Sequence, residues 1–106
     1  MKAVNKERML AEFKEVVALP CHTLQERPVF ELLRTKLEAM GFTVEEDDAG
    51  EKLGGNCGNL WAFLPGNKAG ATSVLFSAHM DGVEPCSGTT VVQKDGVLYS
   101  DGTTIL

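Results

Sequence analysis

The spacing of apolar and polar positions predicts an amphipathic helix near the start of the chain. Apolar side chains recur at helical spacing over residues 5–19, and charged side chains occupy the positions between them. Pro20 ends this helix, because the residue before a proline is disfavoured in the α-helical region. The segment is therefore expected to pack one apolar face against the rest of the fold.

A second amphipathic helix is predicted to end near Met40, with Gly41 as the residue that terminates it. Its start has two interpretations. Thr23 and Glu26 have the spacing of a capping box, which places the N-cap at Thr23. Pro28 favours a later start near Glu26, because proline is best tolerated in the first helical turn.

Three segments have strand patterns. Residues 42–45 alternate between apolar and polar positions, as an edge strand does, and residues 59–64 are mostly apolar. Residues 73–78 are almost continuously apolar, which predicts a strand that is buried on both faces beneath helices. The sequence therefore predicts an α/β fold in which helices pack on a mixed β-sheet.

The remaining segments predict turns and a hairpin. Residues 90–93 and 97–99 flank an Asp-Gly pair, which is typical of a β-hairpin turn. The carboxylate-rich run 45–51 is expected to be a solvated acidic turn. The glycine-rich segment 54–59 matches no phosphate-binding motif and precedes a strand, so we interpret it as a tight loop.

Composition excludes several classes of protein. The chain has 106 residues, a net charge of −5 and no cluster of lysine and arginine, which argues against binding to nucleic acid or to an anionic membrane. No apolar run approaches the ~20 residues of a membrane span, and the first residues lack the apolar core of a signal peptide. Cys21, Cys57 and Cys86 form no C-x-x-C pair, which favours free thiols in a reducing cytoplasm.

The strongest chemical signal is the pair His79 and Asp81, which follows the predicted strand 73–78. Alternate residues of an extended chain point to the same side, so both polar groups are expected at one rim of the sheet. A metal-binding imidazole needs an acceptor that fixes its tautomer, and Asp81 is well placed for that role. The pattern by itself also fits a histidine satisfied by hydrogen bonds at a strand end.

Several segments together resemble the dizinc peptidases related to tripeptidase T, most closely the peptidase T-like branch. Phe76–Pro85 resembles the metal-binding segment of that family, and the resemblance extends through the four segments Leu19–His22, Glu26–Arg27, Gly54–Leu60 and Asp95–Leu106. It implies a phosphorylase/hydrolase-like catalytic domain. Residues 1–106 are then expected to be its N-terminal part, ending before the metal-bridging aspartate motif.

The resemblance also implies roles for the two site residues. His79 would be a zinc ligand, and Asp81 would be the catalytic-site residue that holds His79 and tunes the site. The complete enzyme would use paired zinc ions to hydrolyse short peptides, as an aminopeptidase or tripeptidase in the cytoplasm. Because a catalytic zinc usually has three protein ligands, this chain alone is expected to bind metal weakly and to be inactive.

Two alternatives remain open. The chain is also consistent with a non-catalytic binding domain that self-associates through exposed sheet edges. A weaker alternative is a cysteine-dependent hydrolase that pairs Cys86 with His79. His22 is expected to have a structural or capping role rather than to bind metal, and the sequence leaves the direction of the Glu84 side chain undetermined.

Overall fold

The computed structural model describes residues 3–106 and confirms the α/β class. None of the helices in this described part is long and apolar enough to cross a membrane. In chain order the elements are α1 (Lys6–Val17), α2 (Arg27–Ala39), β1 (Thr43–Glu46), α3 (Ala49–Leu53), β2 (Leu60–Phe63), β3 (Val91–Lys94) and β4 (Val97–Ser100).

Both predicted amphipathic helices are confirmed. The side chain of Asn5 caps α1 by accepting a hydrogen bond of 3.0 Å from the backbone N–H of Arg8. The N-cap of α2 is Glu26, so the later of the two predicted starts is correct, and Pro28 lies in the first turn. Thr23 is not the N-cap, because its hydroxyl is used elsewhere, as described below.

The small core lies where α2 packs on the antiparallel pair β1–β2. The strands pair with Val44 opposite Ala62, and the helix buries Val29 and Phe30 against them. The Arg27 guanidinium stacks on the Phe30 ring, 4.7 Å from its centroid, and clamps Glu46 of β1 through contacts of 2.6 and 2.9 Å. This pair of hydrogen bonds joins α2 to β1.

The acidic run is structured, contrary to the solvated turn that we expected. Asp47 accepts hydrogen bonds from both the backbone and side-chain N–H groups of Asn59, from the indole N–H of Trp61 and from the backbone N–H of Ala49. These donors, the Asn59 amide foremost, hold the pKa of Asp47 well below its usual range. The carboxylate therefore ties α3 and the glycine-rich loop to the start of β2.

The predicted buried strand 73–78 is wrong. These residues follow an irregular path, and Val74, Leu75 and Phe76 are exposed, Phe76 to 90%. A strand needs a backbone partner on at least one side, and no segment of residues 3–106 pairs with this one. Both sheets in the described residues have two antiparallel strands, so no parallel pairing of a mixed sheet occurs there.

The predicted hairpin is confirmed by β3 and β4. Val92 lies opposite Tyr99, and the connecting residues Asp95 and Gly96 both have positive φ, 52° and 78°. Positive φ at both central positions is the requirement of the two-residue turn that matches strand twist. The hairpin follows directly on the loop that carries the candidate site.

Candidate functional site

Two distant segments meet at the candidate site: the connector 18–26 between the first two helices, and the loop 79–88. The backbone N–H of Gly82 donates to the carbonyl of Cys21 over 2.9 Å. A Cβ on Gly82 would lie 2.7 Å from the Cys21 sulfur and 3.2 Å from Cys86 Cβ, closer than side chains tolerate. Glycine is therefore required for this approach, which brings His22 and Thr23 beside the loop.

His79 and Asp81 are brought together as the sequence predicts. His79 Nδ1 lies 3.0 Å from Asp81 Oδ1 and 2.9 Å from the carbonyl oxygen of the same residue. Both partners are acceptors when the carboxyl is ionised, so Nδ1 carries the proton and Nε2 keeps its lone pair. The His79 side chain is 84% exposed, which leaves that lone pair accessible.

Asp81 is itself held in place from the connector. The hydroxyl of Thr23 donates to Asp81 Oδ2 over 2.7 Å, while Asp81 Oδ1 accepts from His79. These two hydrogen bonds, the one from Thr23 contributing most, lower the pKa of the Asp81 carboxyl below its usual range. The carboxylate therefore stays ionised at neutral pH and orients the imidazole.

A second group of side chains lies beside this pair. His22 Nδ1 contacts Glu84 Oε1, and His22 Nε2 lies 2.7 Å from the Ser87 hydroxyl. The Cys86 sulfur is 3.9 Å from His22 Nδ1, and Cys86 is only 3% exposed. The ligand atoms of His22, Glu84 and Cys86 all lie within 4.8 Å of one another.

These contacts establish the direction and partners of several side chains that the sequence leaves undetermined. Glu84 points toward His22 rather than toward His79, and His22 joins the connector to the loop. The Cys86–His79 pair of a cysteine hydrolase is not formed, because Cys86 is buried against His22. The sequence carried no signal for this cluster, since His22 is more than sixty residues from Glu84 and Ser87.

The neighbouring thiol is unsuited to nucleophilic chemistry. Burial, together with the adjacent Cys86 thiol and the charges of Asp81 and Glu84, raises the pKa of the Cys21 thiol to about 11. Cys21 is therefore protonated at neutral pH. Its thiol contacts the carbonyl oxygen of Cys86 at 3.8 Å.

A polar depression of about 320 Å³ lies on the opposite side of the connector, lined by Arg27, Glu46, Asp47 and the glycine-rich loop. Its only cationic lining side chain, Arg27, is already paired with Glu46. The pKa of Glu46 is lowered by that pairing and by the backbone N–H of Gly58. The lining carries four carboxylates against this one paired guanidinium, so the depression offers no free cation to a phosphate.

Comparisons with known proteins support the resemblance seen in the sequence. No protein-family model matches the chain. An uncharacterised protein of Bacillus subtilis, YqjE, is 39% identical over 103 residues, which are 97% of this chain and 28% of that protein. The chain spans a little over a quarter of the length of this relative.

Two solved structures have the same fold over nearly the whole chain. The aminopeptidase PepT of Bacillus cereus matches with a TM-score of 0.93 and 40% identity, covering 97% of this chain and 28% of that one. A tripeptidase of Staphylococcus aureus matches with a TM-score of 0.91 and 31% identity, covering 98% and 28%. The predicted resemblance to peptidase T is therefore confirmed, for a segment of those enzymes.

Proposed function

We propose that this chain is part of the catalytic domain of a zinc-dependent aminopeptidase or tripeptidase, in which His79 is a metal ligand and Asp81 positions it. The observation that carries the proposal is the His79 imidazole, whose Nδ1 lies 3.0 Å from Asp81 Oδ1 while 84% of the side chain is exposed. The fold match to an aminopeptidase and a tripeptidase supports it.

The donor chemistry fits zinc. A neutral imidazole with an accessible lone pair, and a carboxylate that holds the other ring nitrogen, is the usual arrangement around a zinc-binding histidine. Bound zinc would supply a Lewis acid for peptide hydrolysis. We propose paired zinc ions in the complete site, where His79 provides one ligand and the isolated chain remains inactive.

Residues of this chain would form a series of hydrogen bonds that holds the metal ligand in position. Thr23 fixes the Asp81 carboxylate, and Asp81 fixes the ring plane and the tautomer of His79. Because Asp81 stays ionised at neutral pH, it also favours the proton on Nδ1. The substrate would be a short peptide, as the names of the two structural relatives indicate.

A chimaera tests this function. Residues 3–106 of this chain would replace the matched segment of the Bacillus cereus aminopeptidase, which the close fold match makes a conservative exchange. We expect the purified chimaera to release the N-terminal residue of a tripeptide, to lose this activity to a chelator and to recover it with Zn²⁺. The isolated chain, assayed alongside, should show no turnover.

The control is the unmodified aminopeptidase, with circular dichroism and gel filtration to establish that the chimaera is folded. A folded chimaera that hydrolyses no peptide at any zinc concentration would contradict the proposed function. Activity that survives complete removal of metal would contradict the zinc dependence.

The non-catalytic alternative also has a specific observation in its favour. Val74, Leu75 and Phe76 form an exposed apolar segment in the absence of a strand partner, and exposed segments of this kind tend to pair with another copy. We propose that the isolated chain self-associates through residues 73–78. This segment directly precedes His79 in the chain, and its variants leave His79 unchanged, so the two proposals are tested separately.

Light scattering of the chain over a range of concentrations tests self-association. We expect the mean mass to rise with concentration, and the variant Leu75→Glu to remain monomeric, because a charge on each copy opposes pairing. Leu53→Glu, at another exposed apolar position, is the matched control and should behave like the unmodified chain. A monomer at every concentration would contradict the proposal.

We infer a cytoplasmic location from the cysteines. Cys21, Cys57 and Cys86 are all free thiols in the structure, and free thiols are typical of reducing compartments. A location in which these cysteines are oxidised would contradict this inference.

A further inference from the structure

We propose that His22, Glu84 and Cys86 form a second metal site, which takes a thiophilic divalent cation such as Zn²⁺. The three residues are called here the His22 cluster. They offer an imidazole nitrogen, a carboxylate oxygen and a thiolate sulfur, the three kinds of ligand that zinc accepts. None of them is shared with the His79–Asp81 pair.

The distances suit a single ion. Adjacent nitrogen and sulfur ligands of a tetrahedral zinc stand about 3.5 Å apart, given bond lengths of about 2.0 and 2.3 Å. His22 Nδ1 and Cys86 Sγ are 3.9 Å apart, and no pair of the ligand atoms exceeds 4.8 Å. The contact between His22 Nδ1 and Glu84 Oε1 is closer than two ligands of one ion stand, so the Glu84 side chain, which is largely exposed, would rotate away from the ring to make room for the ion.

The groups around the His22 cluster favour the binding of a metal. Facing the Glu84 carboxylate, His22 Nδ1 carries the proton in the neutral imidazole, so a metal at Nδ1 requires the other tautomer. The Ser87 hydroxyl, 2.7 Å from His22 Nε2, can accept the Nε2 proton of that tautomer. Cys86 is buried, which shields a metal–thiolate bond from water. A water would complete the four ligands.

The same contacts place Ser87, His22 and Glu84 in the order of a serine-hydrolase relay. A buried thiol beside the same His22 nitrogen that contacts the acid has no function in such a relay. It does have one in a metal site, where the thiolate is the ligand that selects zinc over harder cations. The cluster of all three donors therefore favours the metal site.

Cobalt(II) titration of the 106-residue chain under a non-thiol reductant tests the proposal, because a Co²⁺–thiolate bond gives a charge-transfer band that histidine and carboxylate ligands do not. We expect a band that saturates at one Co²⁺ per chain and disappears on addition of Zn²⁺. Cys86→Ser should abolish the band, and His22→Ala should weaken Co²⁺ affinity by about tenfold or more.

Two matched controls separate this site from the rest of the chain. Cys57→Ser removes a thiol outside the cluster, and His79→Ala removes the other histidine, so both should keep the band. Circular dichroism identifies any variant that fails to fold, and the unmodified chain provides a test that needs no variant.

Absence of the band in the folded unmodified chain would overturn the proposal. So would a band that persists in folded Cys86→Ser, or one lost only in Cys57→Ser. Covalent labelling of Ser87 by a fluorophosphonate that is unaffected by Zn²⁺ would assign His22 and Glu84 to the hydrolase relay and also overturn the metal site. Retention of the band in His79→Ala separates this result from the fate of the proposed peptidase site.

Discussion

Replacement of His79 by alanine in the chimaera is expected to lower kcat/KM for a tripeptide by roughly a thousandfold. The His79 imidazole is oriented by Asp81 at Nδ1, and its side chain is 84% exposed. Loss of a metal ligand removes several kcal/mol of transition-state stabilisation, at about 1.4 kcal/mol for each factor of ten. Steady-state kinetics with the N-terminal residue release assay measures the effect.

Two further substitutions are expected to have smaller effects than the loss of His79. Asp81→Asn should lower the rate by roughly ten- to a hundredfold, because it weakens the support of the ligand and leaves the ligand itself in place. Lys68→Ala, in an exposed turn that takes no part in the site, is the control and should leave the rate unchanged. A folded His79→Ala chimaera with the activity of the unmodified one would contradict the role of His79.

Replacement of Phe30 by alanine is expected to lower the free energy of unfolding by about 3–5 kcal/mol. Phe30 is fully buried, and only a few side chains of the described residues are. Its loss opens a cavity between α2 and the β1–β2 sheet and removes the surface on which Arg27 stacks. Because a domain of this size is stable by only about 5–15 kcal/mol, the variant should lose a large part of its stability.

Denaturant unfolding followed by circular dichroism measures this change. Phe76→Ala removes the same side chain from a position that is 90% exposed, so at dilute protein its effect should stay within about 0.5 kcal/mol. Equal effects of the two substitutions would show that the core does not lie beneath α2.

The sequence predicts elements well where local chemistry determines them. Pro20 and Pro28 bound the helices, and the Asp95–Gly96 pair adopts the two positive φ angles that its turn needs. The prediction from the sequence fails at residues 73–78, where the apolar pattern is that of a buried strand. A strand forms only when it is hydrogen-bonded to a second strand, and residues 3–106 supply no such partner for residues 73–78. The apolar pattern alone therefore predicts a strand that this chain does not form.

The contacts of the candidate site were likewise predictable from the sequence only where they are local. His79 and Asp81 are two residues apart, so their contact follows from local geometry. The Thr23 hydroxyl and the His22 cluster depend on the meeting of the connector with the loop, which rests on a backbone hydrogen bond and on the missing side chain of Gly82. No local pattern encodes a contact of this range, so the sequence offers Thr23 only as one of two helix starts and does not predict its contact with Asp81.

The metal content of the chimaera tests the central claim most directly. Unmodified and His79→Ala chimaeras would be purified in parallel, equilibrated with limiting Zn²⁺, desalted and analysed by atomic emission, with circular dichroism to verify folding. The proposal predicts a lower zinc content in folded His79→Ala, and a smaller loss in Asp81→Asn, because Asp81 supports the ligand without binding the metal. Equal zinc content in the unmodified and His79→Ala chimaeras would contradict the assignment of His79 as a ligand.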